Sequence, residues 1–169
     1  VRAALPKGTP LDFRISGDEL YEGGYDIEEG CRIAEILEPH LDMIQVSAGN
    51  HEILDHIGRT HPLAFLPHGV NVYLAEAIKK HVKIPVSCVG GINDPAMAEE
   101  ILAGGKADAV CIGRASIADT EWANKVRQSR EDDIRKCMRC LACLSVVPNT
   151  CANWCALNMD IGEEVRALN

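Results

Sequence analysis

Aromatic residues make up only 4% of the 169-residue sequence, so few stacking platforms for single-stranded nucleic acid are present. Positive charge is scarce as well. Seventeen Lys and Arg stand against 25 Asp and Glu, a formal net charge of −8, which argues against nucleic acid and anionic membrane surfaces as partners. No apolar run approaches the roughly eighteen residues a membrane helix needs. The opening VRAALPKGTP has neither the basic nor the apolar region of a signal peptide, and no initiator Met. These features predict a cytoplasmic protein and a piece of a longer polypeptide. No G-x-G-x-x-G occurs, so a Rossmann dinucleotide site has no support within the chain. What remains is an ordinary globular composition, 47% hydrophobic and 25% charged, with enough length for one compact domain with a core.

Cysteine is plentiful, but unevenly spread. Cys31, Cys88 and Cys111 sit singly in apolar stretches such as PVSCVGG and ADAVCIGR, where a free thiol acts as a small buried hydrophobe. The other five of the eight fall between Cys137 and Cys155. Secreted disulfide sets spread along small, loop-rich chains. A reducing compartment with a metal site accounts better for both groups.

Four β-branched runs are bounded by polar, Gly or Pro residues and read as buried parallel strands: 12–16, 42–47, 84–90 and 107–113. Helical patterns alternate with them. Asp26 and Glu29 form a capping box before Ile27, Cys31 and Ala34 on one face. VNVYLAEAIKKHV supplies a second helix with basic residues at its end. DPAMAEEILAGG supplies a third, with Asp94 as N-cap, Pro95 at N1 and Gly104 as the stop. DTEWANKVRQS supplies a fourth, capped by Asp119. Repeated β-α units imply a parallel sheet with helical crossovers; half of an eight-stranded barrel and a small doubly wound sheet both fit. The connection 48–71 is long and holds His51, His56, His61 and His68, whose spacing fits no single helix face. Beyond about Arg130 the chain turns cysteine-rich and aperiodic, which places a boundary near 132–136.

Chemistry concentrates in two places. VGGIND and CIGRAS each put glycine at the carboxyl end of a strand, where backbone N–H groups can approach a ligand and the following helix offers its positive end. Barrels with a phosphate site build it from their last two strand ends, and Arg114 adds a guanidinium suited to a phosphate fork. Two tight turns that merely need Gly90, Gly91 and Gly113 are the plainer reading of each motif alone; together with Arg114 they point to a phosphate. The second place is the cysteine run. Cys137, Cys140 and Cys143 form C-x2-C-x2-C, with Cys155 following after eleven intervening residues and Cys151 between. Successive x2 spacing suits an iron–sulfur cluster; zinc, which favours two separated C-x2-C pairs, and disulfides or free thiols stay open, as does Cys151 as the fourth ligand.

The segments FRISGDEL, VSAGNHE, VGGINDP, ADAVCIGRASIADTEWANKVR and IRKCMRCLAC…CALNMDIGEE occur in an order that resembles the iron–sulfur flavoenzyme branch of the Old Yellow Enzyme family. That branch includes 2,4-dienoyl-CoA reductase, 2-enoate reductase, the bile-acid-inducible enoate reductases and trimethylamine dehydrogenase. The resemblance covers essentially the whole chain, and the cysteine block is its most specific part. It implies α/β architecture: the C-terminal half, strands five to eight, of a TIM (β/α)8 barrel over residues 1–133, then a [4Fe–4S] segment over 134–169. The first barrel half and an FAD- and NAD(P)H-binding region would lie elsewhere in the polypeptide.

Carried onto this sequence, the resemblance implies that Arg14 lies beside the flavin N1/O2 edge and that Gly90, Gly91, Gly113 and Arg114 contact the FMN phosphate. Cys137, Cys140, Cys143 and Cys155 would be the cluster ligands. The x2 spacing before Cys143 follows the trimethylamine dehydrogenase form. His51 would be the active-site histidine near a substrate carbonyl. The implied activity is NAD(P)H-dependent reduction of the C=C bond of an α,β-unsaturated acyl or carbonyl small molecule by hydride from FMN. Electrons would arrive through FAD and the cluster. The alternatives are an oxidative amine-dehydrogenase-like enzyme, a non-catalytic electron-transfer module, and a phosphate-binding module with a structural zinc. Half a barrel with strands apolar on both faces also predicts open edges that pack against the rest of the polypeptide or self-associate as a homo-oligomer.

Overall fold

The β-branched runs become strands with ragged ends. In the computed structural model, which describes residues 1–53, 57–144 and 154–161, they are β1 (Asp12–Ser16), β2 (Met43–Ser47), β3 (Val86–Val89) and β4 (Ala109–Cys111). β1 has the expected bounds; the other three are shorter than the apolar runs that contain them. The helices are α1 (Ile27–Leu37), α2 (Ile57–Thr60), α3 (Val72–Lys79), α4 (Pro95–Ala103), α5 (Arg114–Ala118) and α6 (Trp122–Arg127). None of the described helices is long and apolar enough to cross a membrane.

All strand pairs are parallel and the sheet order is β1-β2-β3-β4. A doubly wound sheet reverses its order at a switch point, and this one does not. Right-handed crossovers in a sequential order put α1, α3 and α4 on one side of the sheet. On that side Ile44, Val46, Val86 and Cys88 are fully buried against Leu74, Ala75 and Ile78 of α3, with Ala34 of α1 and Ile101 of α4 in the same core. Each fully buried Leu or Ile contributes about 1.5–3 kcal/mol of transfer free energy.

The other face corrects the expectation of strands apolar on both sides. Register rows across the sheet place Arg14, Gln45, Ser87 and Ala109 side by side, then Ser16, Ser47, Val89 and Cys111. Because successive side chains alternate faces, these two rows share the surface opposite the helices. Gln45 confirms the sharing by donating from Nε2 to Cys111 Sγ at 2.8 Å. Cys111 is therefore a half-buried group of the polar face and not a core hydrophobe. Cys31 and Cys88 are buried as expected, and burial pushes the Cys88 thiol up to about 11.

Caps explain the helix starts. Asp26 accepts from the Glu29 amide, but the Glu29 carboxylate is taken by Arg32, so the capping box is half formed. Asp94 accepts from the Ala96 amide with Pro95 at the first helical position. Gly104 ends α4 in right-handed geometry, and its neighbour Gly105, at φ +67°, makes the left-handed turn instead. The helix expected over 119–129 is α6, shorter at both ends and with Glu121 in place of Asp119 at its N-cap; Asp119 instead ends α5. The Asp119 carboxylate is buried, accepts from the Glu121 and Arg135 amides at 3.1 and 2.8 Å, and pairs with Lys125 at 2.7 Å. It fastens the segment after α6 back onto the sheet domain.

Candidate functional site

The long connection 48–71 is not structureless. Asn71, 2% exposed, closes its base: Arg59 Nε donates to Asn71 Oδ1 at 3.0 Å and Asn71 Nδ2 donates back to the Arg59 carbonyl at 2.9 Å. The same Asn71 fills the space a side chain at Gly90 would need, 3.1 Å from its ideal Cβ position. Gly90 and Gly91 have φ of +146° and +73°, a turn that L-residues with side chains rarely adopt. The connection thus folds across the carboxyl ends of β3 and β4 and encloses a cleft of ≈ 210 Å³.

Seven of the residues singled out by sequence line this one cleft: Arg14, His51, Gly90, Gly91, Gly113, Arg114 and Cys137. Arg14 reaches it from β1, with Ser47 at the end of β2 beside it. Arg114 donates from Nη2 to the Pro62 carbonyl at 2.9 Å, while its Nη1 is buried with no hydrogen-bond partner among the described residues. A buried guanidinium N–H without an acceptor is costly, and an anionic oxygen in the cleft would satisfy it. A Cβ on Gly113 would meet nothing within 4 Å, so open space adjoins that turn. These features suit a phosphate monoester.

Two lining residues were not expected at the site. His61, expected to be an ordinary loop residue, meets His51 edge to face with ring centroids 4.8 Å apart. Burial, then His51, Arg114 and Arg14 around it, hold the His61 pKa below the usual imidazole value. Thr60 Oγ1 lies 3.1 Å from His61 Nδ1. His68 takes a structural part, its Nδ1 2.8 Å from the Gly91 carbonyl, and His56 lies outside the described residues. The second unforeseen residue is Arg139, inside the C-x2-C run and 6% exposed, whose guanidinium lies 3.2 Å from the ideal Cβ position of Gly91. Burial and the neighbouring Arg114 both lower its pKa.

The cysteine segment is tied to the cleft by Asn93, which donates from Nδ2 to the Cys137 carbonyl at 2.7 Å, and by Lys136 to Asp94 at 2.5 Å. Arg139 and Leu141 have φ of +56° and +61°, so the backbone doubles back within the run. The Cys137 sulfur accepts from the Arg139 amide at 3.4 Å and the Cys155 sulfur from the Leu157 amide at 3.5 Å, contacts that stabilise thiolates. Burial pushes the Cys143 thiol up, Arg114 draws it down, and Cys137 and Cys155 are near enough to act on it. Cys140 is exposed. Among the described residues no three His, Cys, Asp or Glu side chains converge on a common metal position, and Cys151 lies outside those residues. The donor set itself, soft thiols with amide N–H groups aimed at two of them, is the chemistry an iron–sulfur centre requires.

Residues 1–133 match the NADH:flavin oxidoreductase / NADH oxidase family. An NADH oxidase of Thermoanaerobacter brockii is 45% identical over 141 residues, covering 83% of this chain and 21% of the relative. A cinnamate reductase of Clostridium sporogenes is 30% identical, covering 89% and 22%, and a dimethylamine dehydrogenase of Hyphomicrobium is 31% identical, covering 98% and 23%. The solved structure of a 2-naphthoyl-CoA reductase in complex with 2-naphthoyl-CoA superposes with a TM-score of 0.78 at 30% identity, over 89% of this chain and 23% of that one. The chain thus spans about a fifth of the length of these three curated relatives. On these grounds the chain belongs to the NADH:flavin oxidoreductase / NADH oxidase family.

Proposed function

We propose that this chain is the C-terminal half of an FMN-binding barrel joined to a [4Fe–4S] segment, in an enzyme that reduces the C=C bond of an α,β-unsaturated acyl or carbonyl compound. The observation that carries the reading is the cleft itself: an unpartnered Arg114 Nη1 stands beside a glycine turn at one end, and Arg14 and His51 line the same space. Sequential parallel strands with a polar face opposite the helices suit half a barrel whose interior holds ligand-directed side chains. NAD(P)H and FAD would bind elsewhere in the full polypeptide.

Arg114, with the amides of Gly91 and Gly113, would hold the FMN phosphate. When bound, the flavin supplies hydride transfer, which no side chain here can perform. Arg14 would place a cation on the polar face, where it favours negative charge on a neighbouring ring edge. His51, exposed at the cleft mouth, donates a hydrogen bond to a substrate carbonyl oxygen and so stabilises the charge that develops there. His61 packs its ring against His51 and restricts its orientation. Cys137, Cys140, Cys143 and Cys155 would ligate the cluster, with the Arg139 and Leu157 amides as sulfur hydrogen-bond donors.

The similarity to a dimethylamine dehydrogenase favours a second reading, in which the same cleft serves amine oxidation. Anaerobic assay of the intact protein separates the two. Consumption of NADH with an aryl- or alkyl-enoate supports the first reading. Reduction of an artificial electron acceptor by a secondary amine, with no enoate-dependent NADH loss, refutes it and supports the second.

A further inference from the structure

We infer that Arg139, carried by the cysteine segment, is a second guanidinium of the phosphate site and acts with Arg114 on the same dianion. The inference rests on the reading of the cleft as an FMN site and extends it to a residue outside the β-α units.

Arg139 is 6% exposed, yet among the described residues neither it nor Arg114 makes an ion pair. Its Nη1 and Nη2 donate to the carbonyls of Pro67 and Ala64, each at 3.3 Å, near the outer limit of a hydrogen bond. Those acceptors are neutral. Arg114 has one neutral acceptor and one orphaned Nη1. Two guanidinium groups therefore line one cleft with no carboxylate among its lining residues, an arrangement that a bound anion relieves. A phosphate monoester carries about −1.5 to −2 charges at neutral pH, which matches two guanidinium groups. Gly91 makes the approach possible: a Cβ there would lie 3.2 Å from Arg139 Nη1. The backbone at Arg139 is left-handed, φ +56°, and its guanidinium lies over the glycine turn at Gly91.

Arg139 is thus a positioning and binding residue that makes phosphate affinity depend on the cysteine segment being folded. By linkage, a bound phosphate also favours the folded segment.

The test uses the intact protein stripped of flavin and titrated with FMN and, separately, riboflavin, by quenching of flavin fluorescence. Riboflavin differs only in lacking the phosphate. Arg139→Gln is expected to cut the wild-type preference for FMN over riboflavin by about tenfold to a hundredfold, and Arg139→Lys, which keeps the charge but loses the fork, by less. Equal weakening of both flavins, with the preference intact, would mean Arg139 only supports the fold and would overturn the inference. If Arg139→Gln does not fold, the preference in Arg139→Lys decides: an unchanged ratio overturns it. Loss of preference in Arg114→Gln but not in Arg139→Gln rejects Arg139 alone. Absence of any preference in the wild-type protein rejects the FMN reading itself.

Discussion

His51 and His61, ten residues apart in sequence, meet edge to face with 4.8 Å between ring centroids and 72° between ring planes. One ring is exposed at the cleft mouth and the other half-buried behind it. The pairing gives the outer imidazole a fixed wall on one side. In the intact enzyme His51→Asn is expected to lower kcat for enoate reduction by about 10²- to 10⁴-fold, the usual contribution of a positioned acid–base group, with flavin content unchanged. Steady-state kinetics with flavin quantification checks this, and a variant with wild-type kcat removes His51 from the chemistry.

His61 carries a pH signature. Its folded-state pKa lies below the ordinary 6.5, so the unfolded chain binds a proton more readily than the folded one. Stability from this group is present in full above 6.5 and is lost as pH falls through the depressed folded value. The thermal midpoint of wild type is expected to fall relative to that of His61→Gln as pH drops below 6.5, where the unfolded chain takes up a proton that the folded one resists. A wild-type advantage that grows on acidification would contradict the assignment.

Arg14 sits on the polar face in register with Gln45 and Ser87. Its loss should make a bound flavin harder to reduce, because the reduced ring is the anionic form. A charge-assisted contact of about 1.5–3 kcal/mol corresponds to a fall of about 30–65 mV for a two-electron couple. Spectroelectrochemical titration of Arg14→Ala reads this directly, and an unchanged or raised potential counts against it.

The cysteines are separable by iron content. Cys137→Ser, Cys140→Ser, Cys143→Ser and Cys155→Ser are each expected to lose iron and inorganic sulfide, whereas Cys151→Ser retains both. The motive is the C-x2-C-x2-C-x11-C spacing, together with the amide donors on Cys137 and Cys155. Iron loss in Cys151→Ser with retention in Cys155→Ser would exchange the fourth ligand.

The fold was largely legible because its signals are local: β-branched runs, an Asp26 cap, an Asp94-Pro95 start. The polar sheet face has a local signal too. In FRIS and IQVS polar and apolar residues alternate, the mark of a strand with one wet face, although the runs look continuously apolar when β-branched content alone is weighed. At the site, Gly90, Gly91, Gly113 and Arg114 were readable as neighbours because consecutive parallel strands bring their carboxyl ends side by side, and all four line one cleft. His61 was not, because its place depends on the reciprocal Arg59–Asn71 bonds that fold the 48–71 connection over the cleft. Arg139 left one unused clue, a cation inside a cysteine run, but its direction comes from a left-handed backbone no local pattern specifies.

The central claim is that the Arg114 cleft holds FMN through its phosphate. The most direct measurement is the flavin released by acid from anaerobically purified intact protein, identified and counted for wild type and Arg114→Ala alongside iron. The account expects FMN bound at the cleft in the wild type, and in Arg114→Ala its affinity lowered by about 1.5–3 kcal/mol with iron unchanged. Full FMN retention and unaltered affinity in Arg114→Ala would contradict it.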